Sequence, residues 1–228
     1  MSCSLDILYE DNHLLVVNKQ VGELVQADRD TRESLEESIK TFLKERDAKS
    51  GNVFLGVPHR LDRPVSGIVI FAKTSKALTR LNVMFQKGEV HKTYWAIVKQ
   101  RPPNDSDLLV HHLVRHEQQN KTYAYPKPVA NSKEARLRYR LLAQGERYFL
   151  LEVELLTGRH HQIRCQLSKI GCPIKGDLKY GFARSNPNGG ISLHAHAVRF
   201  VHPVTQQTIS LIAPPPAGDI FKSIKNEG

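Results

Sequence analysis

Apolar and polar positions along the chain follow two different periods. Residues 5–9 (Leu-Asp-Ile-Leu-Tyr) and 13–17 (His-Leu-Leu-Val-Val) flank Asp11-Asn12, a turn signal, and predict a hairpin. Asn18-Lys19-Gln20-Val21-Gly22 follows as a loop. From Ser34 the period lengthens, and Leu35, Ile39, Phe42 and Leu43 fall on one helical face. Ser34 and Glu37 have the spacing of a capping box, and this helix is expected to end near Arg46. The polar stretch 47–56 reads as a surface loop. The β-branched run 67–73 predicts a strand, and Thr74 can cap a second helix that turns Ala77, Leu78, Leu81 and Phe85 inward before Gly88 closes it.

The second half is richer in strands. Residues 90–99 place Lys92, Tyr94, Ala96 and Val98 on one face and His91, Thr93, Trp95 and Ile97 on the other. A loop at 101–106 precedes strands near 107–114, 121–125, 133–143 and 147–156. In 133–143, Ala135, Leu137, Tyr139 and Leu141 alternate with Glu134, Arg136, Arg138 and Arg140, the mark of a half-exposed sheet. A phosphate grip and a solvated face both account for those arginines. Residues 156–164 turn strand into helix, with Ile163, Leu167 and Ile170 on the buried stripe. A Gly/Pro-punctuated loop at 172–181, strands at 191–200 and 207–212, and Ala213-Pro214-Pro215-Pro216 end the regular structure. No internal repeat and no compositional break interrupts residues 1–228, so one domain is expected.

Chemistry concentrates in Pro58-His59-Arg60-Leu61-Asp62-Arg63-Pro64-Val65-Ser66-Gly67. One acid sits between two arginines, and Pro64 removes a backbone donor and biases Arg63 toward extended geometry, so a strand should end or bulge here. An ion-pair network and an active site are both open readings of this cluster. A basic residue in the first turns of a helix, such as Arg164, is badly placed for its own macrodipole and calls for a carboxylate or phosphate partner.

Charge then narrows the function classes. Lys plus Arg number 33 against 23 Asp plus Glu, for a formal net charge of +10. Such a balance favours a polyanionic partner, because cationic faces release counterions from phosphates. No long apolar span, signal segment or lipidation box argues for a membrane. Cys3, Cys165 and Cys172 are too few for a disulfide framework and favour a reducing cytoplasm. His161 and Cys165 have helical i,i+4 spacing, but no second compact ligand pair joins them, so Cys165 is read as a half-buried helix residue and no metal is expected. His111, His112 and His116 are read as surface residues.

Several motifs together resemble the ribosomal large-subunit pseudouridine synthase A family: His59-Arg60-Leu61-Asp62-Arg63 with Ser66-Gly67, Lys92-x-Tyr94-x-Ala96, Gly158-Arg159-x-His161-Gln162-Ile163-Arg164, Asn18-Lys19 with Gly22, and Pro173-Ile174-x-Gly176-Asp177 with Tyr180-Gly181. The resemblance covers about residues 5 to 212. Gln20 stands where the family usually has proline, Val65 where it has threonine, Gln26 near where it often has histidine, and Cys165-Gln166 where a small apolar residue and histidine are common.

The resemblance implies an α+β fold with a mixed, mostly antiparallel sheet of the pseudouridine synthase type, flanking helices and a central catalytic cleft. It also implies isomerisation of uridine in ribosomal or transfer RNA without cofactor or metal, in a chain lacking the small N-terminal RNA-binding domain of many relatives. One compact catalytic domain suggests a monomer, and the cysteine usage a cytoplasmic one. Asp62 is then the essential carboxylate, attacking the anomeric carbon or taking a ribose proton. Tyr94 lies against the base, and Arg164 pairs with Asp62. RNA-facing roles fall to Arg60, His59, Arg63, Lys92, Arg159, His161 and Lys19, with Arg60 as a wedge or phosphate contact and Arg63 a neutralising neighbour. A catalytically silent RNA-binding module of the same fold is the competing class, and the intact Asp62, Tyr94 and Arg164 argue against it. A metal-dependent nuclease would need clustered acids that the sequence does not have.

Overall fold

The computed structural model describes residues 5–27, 33–216 and 220–226. Cys3 lies outside them. The chain forms two compact units, Met1–Val90 with His196–Pro214, and His91–Ala195 with Pro215–Gly228.

In the first unit the expected hairpin forms from β1 (Ile7–Glu10) and β2 (Leu14–Lys19). Asp11 closes the turn by accepting the amides of His13 and Leu14, each at 2.7 Å. β3 (Ser66–Ala72) pairs antiparallel with β2 in a register running from Leu14 opposite Ala72 to Lys19 opposite Gly67. Both strands are buried along their whole length, which is why their sequences are continuous apolar runs rather than alternating ones.

Helix α1 (Leu35–Arg46) is capped by the Ser34 side chain on the Glu37 amide, and α2 (Ser75–Lys87) by Thr74 on the Ala77 amide. Gly88 ends α2 in the left-handed region at φ 75°, which a glycine reaches without steric cost. Leu14, Val16, Ile68 and Ile70 pack with Ala77, Leu81 and Met84 in a core that also takes Val198, Phe200 and Ile209. The last three come from β9 (Leu193–Val201), which joins this unit from His196 onward, and β10 (Thr208–Ile212), paired antiparallel.

In the second unit the strands lie in the order β4 (His91–Val98), β8 (Phe149–Leu155), β7 (Lys133–Gln144), β5 (Ser106–His116), β6 (Lys121–Tyr125), every neighbour antiparallel. On β7 the expected alternation holds, with Ala135, Leu137 and Tyr139 buried. The exposed arginines meet glutamates: Arg140 reaches Glu152 at 2.7 Å, and Arg138 reaches Glu154 at 3.8 Å. Cys165 on α3 (Gln162–Lys169) packs with Leu113, Ala135 and Tyr180.

Two expectations fail here. The chain does not stop being regular after the prolines: α4 (Phe221–Asn226) buries Phe221 and Ile224 against Trp95, Ile97 and Leu150. Their i,i+3 spacing was the available signal. His111 is not a surface residue; it is buried, and its Nδ1 accepts from Gln166 Nε2 at 3.0 Å. The segment read as a loop at 172–181 also contains a short 3-10 turn, Leu178–Tyr180. Among the described residues no helix is long and apolar enough to cross a membrane.

Candidate active site

Asp62 stands in the first unit at the start of a tight turn, the Val65 amide donating to the Asp62 carbonyl at 3.0 Å. No strand forms over residues 57–65, so instead of a strand ending or bulging at Pro64 the segment is irregular up to β3. Leu61 is buried, anchoring the segment, while Arg60 and Arg63 are exposed and Asp62 is half-buried. Because β2 ends beside the beginning of β3, the loop after β2 meets this turn. The Gly22 amide donates to the Arg63 carbonyl at 2.9 Å, and Arg63 Nε returns a bond to the Gly22 carbonyl at 3.0 Å. Gly22 has φ 91°, so the reciprocal clasp depends on a residue free of a Cβ.

Lys19 completes the clasp from below. Expected at an RNA contact, it is fully buried, and its ammonium donates to the carbonyls of Gln20 at 2.8 Å and Arg63 at 3.2 Å. Burial pulls its pKa down to about 8; the Glu23 and Asp62 carboxylates oppose that fall and Arg63 adds to it. His59 is likewise tied to the fold. Its Nε2 accepts the Ile70 amide at 2.9 Å, which places the ring proton on Nδ1, and the ring stacks on Phe85 at 4.6 Å.

Tyr94 and Arg164 belong to the second unit. Tyr94 is buried on β4 opposite Val153. Lys92, on the same face of β4, is half-buried with its pKa lowered by burial, and its Nζ lies where a Cβ on Gly158 would be 3.6 Å away. So the tyrosine strand and the glycine that opens the α3 motif are neighbours. Gln162 shapes that motif: its Oε1 accepts from the Arg159 amide and the Thr157 hydroxyl, and its Nε2 donates to the Arg136 carbonyl. Arg159 is exposed, with Nε on the Glu134 carbonyl at 3.1 Å. His161 enters α3 at φ 51°, a left-handed conformation costing a non-glycine residue about 1–3 kcal/mol.

That strain is held by buried bonds. The Tyr180 hydroxyl accepts the Thr122 amide at 2.9 Å and lies within hydrogen-bond distance of His161 Nδ1, also at 2.9 Å. Burial and the Arg164 charge push the His161 pKa down to about 2, so the ring is neutral. His160 stacks on His161 at 3.7 Å and meets the Thr122 hydroxyl at 2.8 Å.

Arg164 is 5% exposed and Asp177 1%. They form a two-point pair, Nε to Oδ2 at 2.7 Å and Nη2 to Oδ1 at 2.9 Å, with the Tyr180 ring 5.0 Å from the guanidinium carbon. A carboxylate or a phosphate was expected for an arginine so placed, and Asp177 is a carboxylate partner. Sequence reasoning read Asp177 only as the continuation of a motif. The i,i+4 pair has other partners: His161 faces Tyr180, and the Cys165 thiol, pushed up to about 12 by burial, donates to the Gln162 carbonyl. Among the described residues no group of three or more His, Cys, Asp or Glu is arranged to hold a metal ion.

A family model described as RNA pseudouridylate synthase matches residues 13–169. Among curated relatives, an uncharacterized RNA pseudouridine synthase of Synechocystis is 32% identical over 216 residues, 93% of this chain and 66% of the relative. A ribosomal large subunit pseudouridine synthase C of Vibrio vulnificus is 32% identical over 91% of this chain and 65% of its own length. A tRNA pseudouridine synthase C of Vibrio cholerae is 32% identical over 92% of this chain and 90% of its own. The solved structure of human RNA pseudouridylate synthase domain containing 4 superposes with a TM-score of 0.77 at 22% identity, covering 93% of this chain and 89% of that one. The fold is therefore the α+β pseudouridine synthase fold. The chain belongs to the RNA pseudouridylate synthase family. It spans about two thirds of the length of the first curated relatives it matches.

Proposed function

We propose that this chain is an RNA pseudouridine synthase of the ribosomal large-subunit synthase A branch, isomerising particular uridines of ribosomal or transfer RNA. One observation carries the reading: the family match over residues 13–169 takes in Asp62, Tyr94 and Arg164 together. It also runs past Val90, where the first unit gives way to the second, which supports residues 1–228 acting as one catalytic domain.

In the reaction the C1′–N1 bond of uridine breaks and a C1′–C5 bond forms. The proton displaced from C5 is balanced by one gained at N1, so no oxidant, reductant or group donor is consumed. Asp62 is the carboxylate that attacks the anomeric carbon or accepts a ribose proton. Its half-buried place on a clasped turn suits a group that must meet substrate without drifting. Arg164 supplies the arginine of the Gly158–Arg164 motif, held in place by Asp177. Tyr94 lies against the detached uracil and assists loss of the C5 proton. Arg60, exposed beside Asp62, fills the gap left when the target base leaves its stack. Arg63, Lys92, Arg159, His59, His161 and Lys19 serve the RNA contact directly or by fixing the loops that make it. A cytoplasmic setting is supported by Cys165 and Cys172, both free and buried.

The test is a carbodiimide-based scan of cellular RNA before and after treatment with the protein, with Asp62→Ala alongside. New pseudouridine with wild type and none with Asp62→Ala is the expected result. RNA bound by both proteins with no pseudouridine from either would instead make the chain a silent RNA-binding module.

A further inference from the structure

The second unit carries a cleft that none of the residues above explains. It has a volume of about 700 Å³, of the size that holds a nucleotide-scale ligand. Its lining includes Lys99, Lys175 and Arg184, the rings of Tyr148 and Phe182, and no acidic side chain. Lys99 and Arg184 are exposed, and among the described residues neither has a carboxylate partner. The outward arginines of β7 are different, because glutamates already neutralise Arg138 and Arg140.

The cleft is built rather than fluid. Lys175 is fixed at its backbone by the Ile97 carbonyl at 2.8 Å and the Ser192 amide at 2.8 Å, and its ammonium donates to Asn186 Oδ1 at 2.6 Å. Buried Asn186 in turn donates to the Ser192 hydroxyl at 3.2 Å, pinning the wall that carries Phe182 and Arg184. Gly176, at φ 88°, lets that wall close, since a Cβ there would lie 2.7 Å from Asn186 Nδ2 and 2.8 Å from the Gly190 carbonyl. Tyr148 packs part of its ring on the Trp95, Ile97 and Leu150 core and shows the rest to the cleft. Cations lining a groove with aromatic faces between them are what single-stranded nucleic acid needs, phosphate to charge and base to ring.

We propose that this cleft binds an unpaired nucleotide of the substrate RNA other than the reacting uridine, its phosphate on Lys99 and Arg184 and its base against Phe182 and Tyr148. The proposal rests on the RNA reading above and adds a second foothold to it. The Phe182 amide donates to the Asp177 carbonyl at 3.0 Å, so the foothold and the partner of Arg164 share one short segment. A nucleotide seated there helps to set which RNAs present a uridine correctly.

The experiment is fluorescence anisotropy of a short labelled single-stranded RNA against wild type, the double variant Lys99→Ala/Arg184→Ala, and Phe182→Leu, across a range of salt concentrations. The double variant changes only exposed cations and should keep the wild-type melting temperature. It is expected to bind more weakly and to lower the slope of log affinity against log salt by about 0.7, the share of one phosphate contact on a single strand. Phe182→Leu should weaken binding by roughly 5-fold or more with the slope unchanged, because stacking is lost without charge. Wild-type affinity and slope in the double variant would overturn the proposal, even if Phe182→Leu proved unstable. So would tight binding of labelled oligo-glutamate lost in the double variant while RNA binding stayed intact, for the cleft would then suit an acidic protein segment. Pseudouridine formation is measured separately: product without dependence on the cleft removes the foothold alone, and cleft-dependent binding without product removes the isomerase reading alone.

Discussion

The Asp62 turn and the Arg164 helix entry hold their charged groups in opposite ways. Asp62 is half-buried on irregular backbone, and what fixes it is main-chain and lysine bonding beneath the turn: Gly22 to Arg63 in both directions, and Lys19 to two carbonyls. Arg164 is buried on a regular helix and fixed by side chains, two bonds from Asp177 and the face of Tyr180. The role proposed for Asp62 needs solvent access, so its support comes from behind. Arg164 can be enclosed because its own charge is matched by Asp177. Chemistry and stability should therefore separate at the first site and coincide at the second.

The largest expected effect tests that separation. Asp62→Ala should lower pseudouridine formation by at least about 10³-fold, as expected for loss of a group acting directly on the reacting atoms. Its melting temperature should stay close to wild type, because the turn's bonds are made by neighbours. A cooperative loss of fold in Asp62→Ala, read by circular dichroism, would erase the contrast.

Asp177→Ala comes next, and here stability should fall. It leaves a buried guanidinium without its counter-charge, at a cost of about 3–5 kcal/mol in urea unfolding. If Asp177→Ala unfolded at the wild-type urea midpoint, the pair would not be holding the helix entry.

Lys19→Met should cost less, about 1–3 kcal/mol, from losing the bonds of the buried ammonium to the Gln20 and Arg63 carbonyls. Its pH signature is more specific. With a folded pKa of about 8 against 10.5 in the free side chain, the unfolded chain holds more protons between those values, so wild-type stability gains a contribution as pH rises from 8 toward 10.5. That contribution is absent in Lys19→Met, so the gap between the two proteins should widen over the same interval.

The smallest effect is expected on the outer sheet face. Arg140→Gln breaks an exposed pair with Glu152 and should shift stability by no more than about 1 kcal/mol, measured by thermal unfolding.

Much of the fold was legible because local rules and global packing agree. Ser34 and Thr74 cap the helices they were expected to cap, Gly88 ends α2, and β7 alternates as its sequence does. Where they disagree, burial decided. His111 reads from the sequence as one of three surface histidines, yet Gln166 on α3 reaches across to it and encloses it. The last helix was missed because three prolines precede it and only Phe221 and Ile224 carry its apolar face. Lys19 shows the same limit in the candidate site. A lysine in a motif reads as a surface cation, and only the meeting of two loops reveals that its ammonium is spent on carbonyls.

By itself, the sequence singled out Asp62, Tyr94 and Arg164 as the candidates for the chemistry, since they stand in ordered motifs whose spacing needs no coordinates. It also determined most element boundaries, because caps, turns and periodicity are properties of neighbours along the chain. Only the tertiary structure decided which charges are exposed and which are enclosed: that Asp177 serves Arg164, that His161 is neutral, and that Lys99 and Arg184 border an open cleft while Arg138 and Arg140 meet glutamates. The physical reason is that a charge's state and partner depend on solvent exclusion and on groups far away in sequence, and both exist only once the chain has folded.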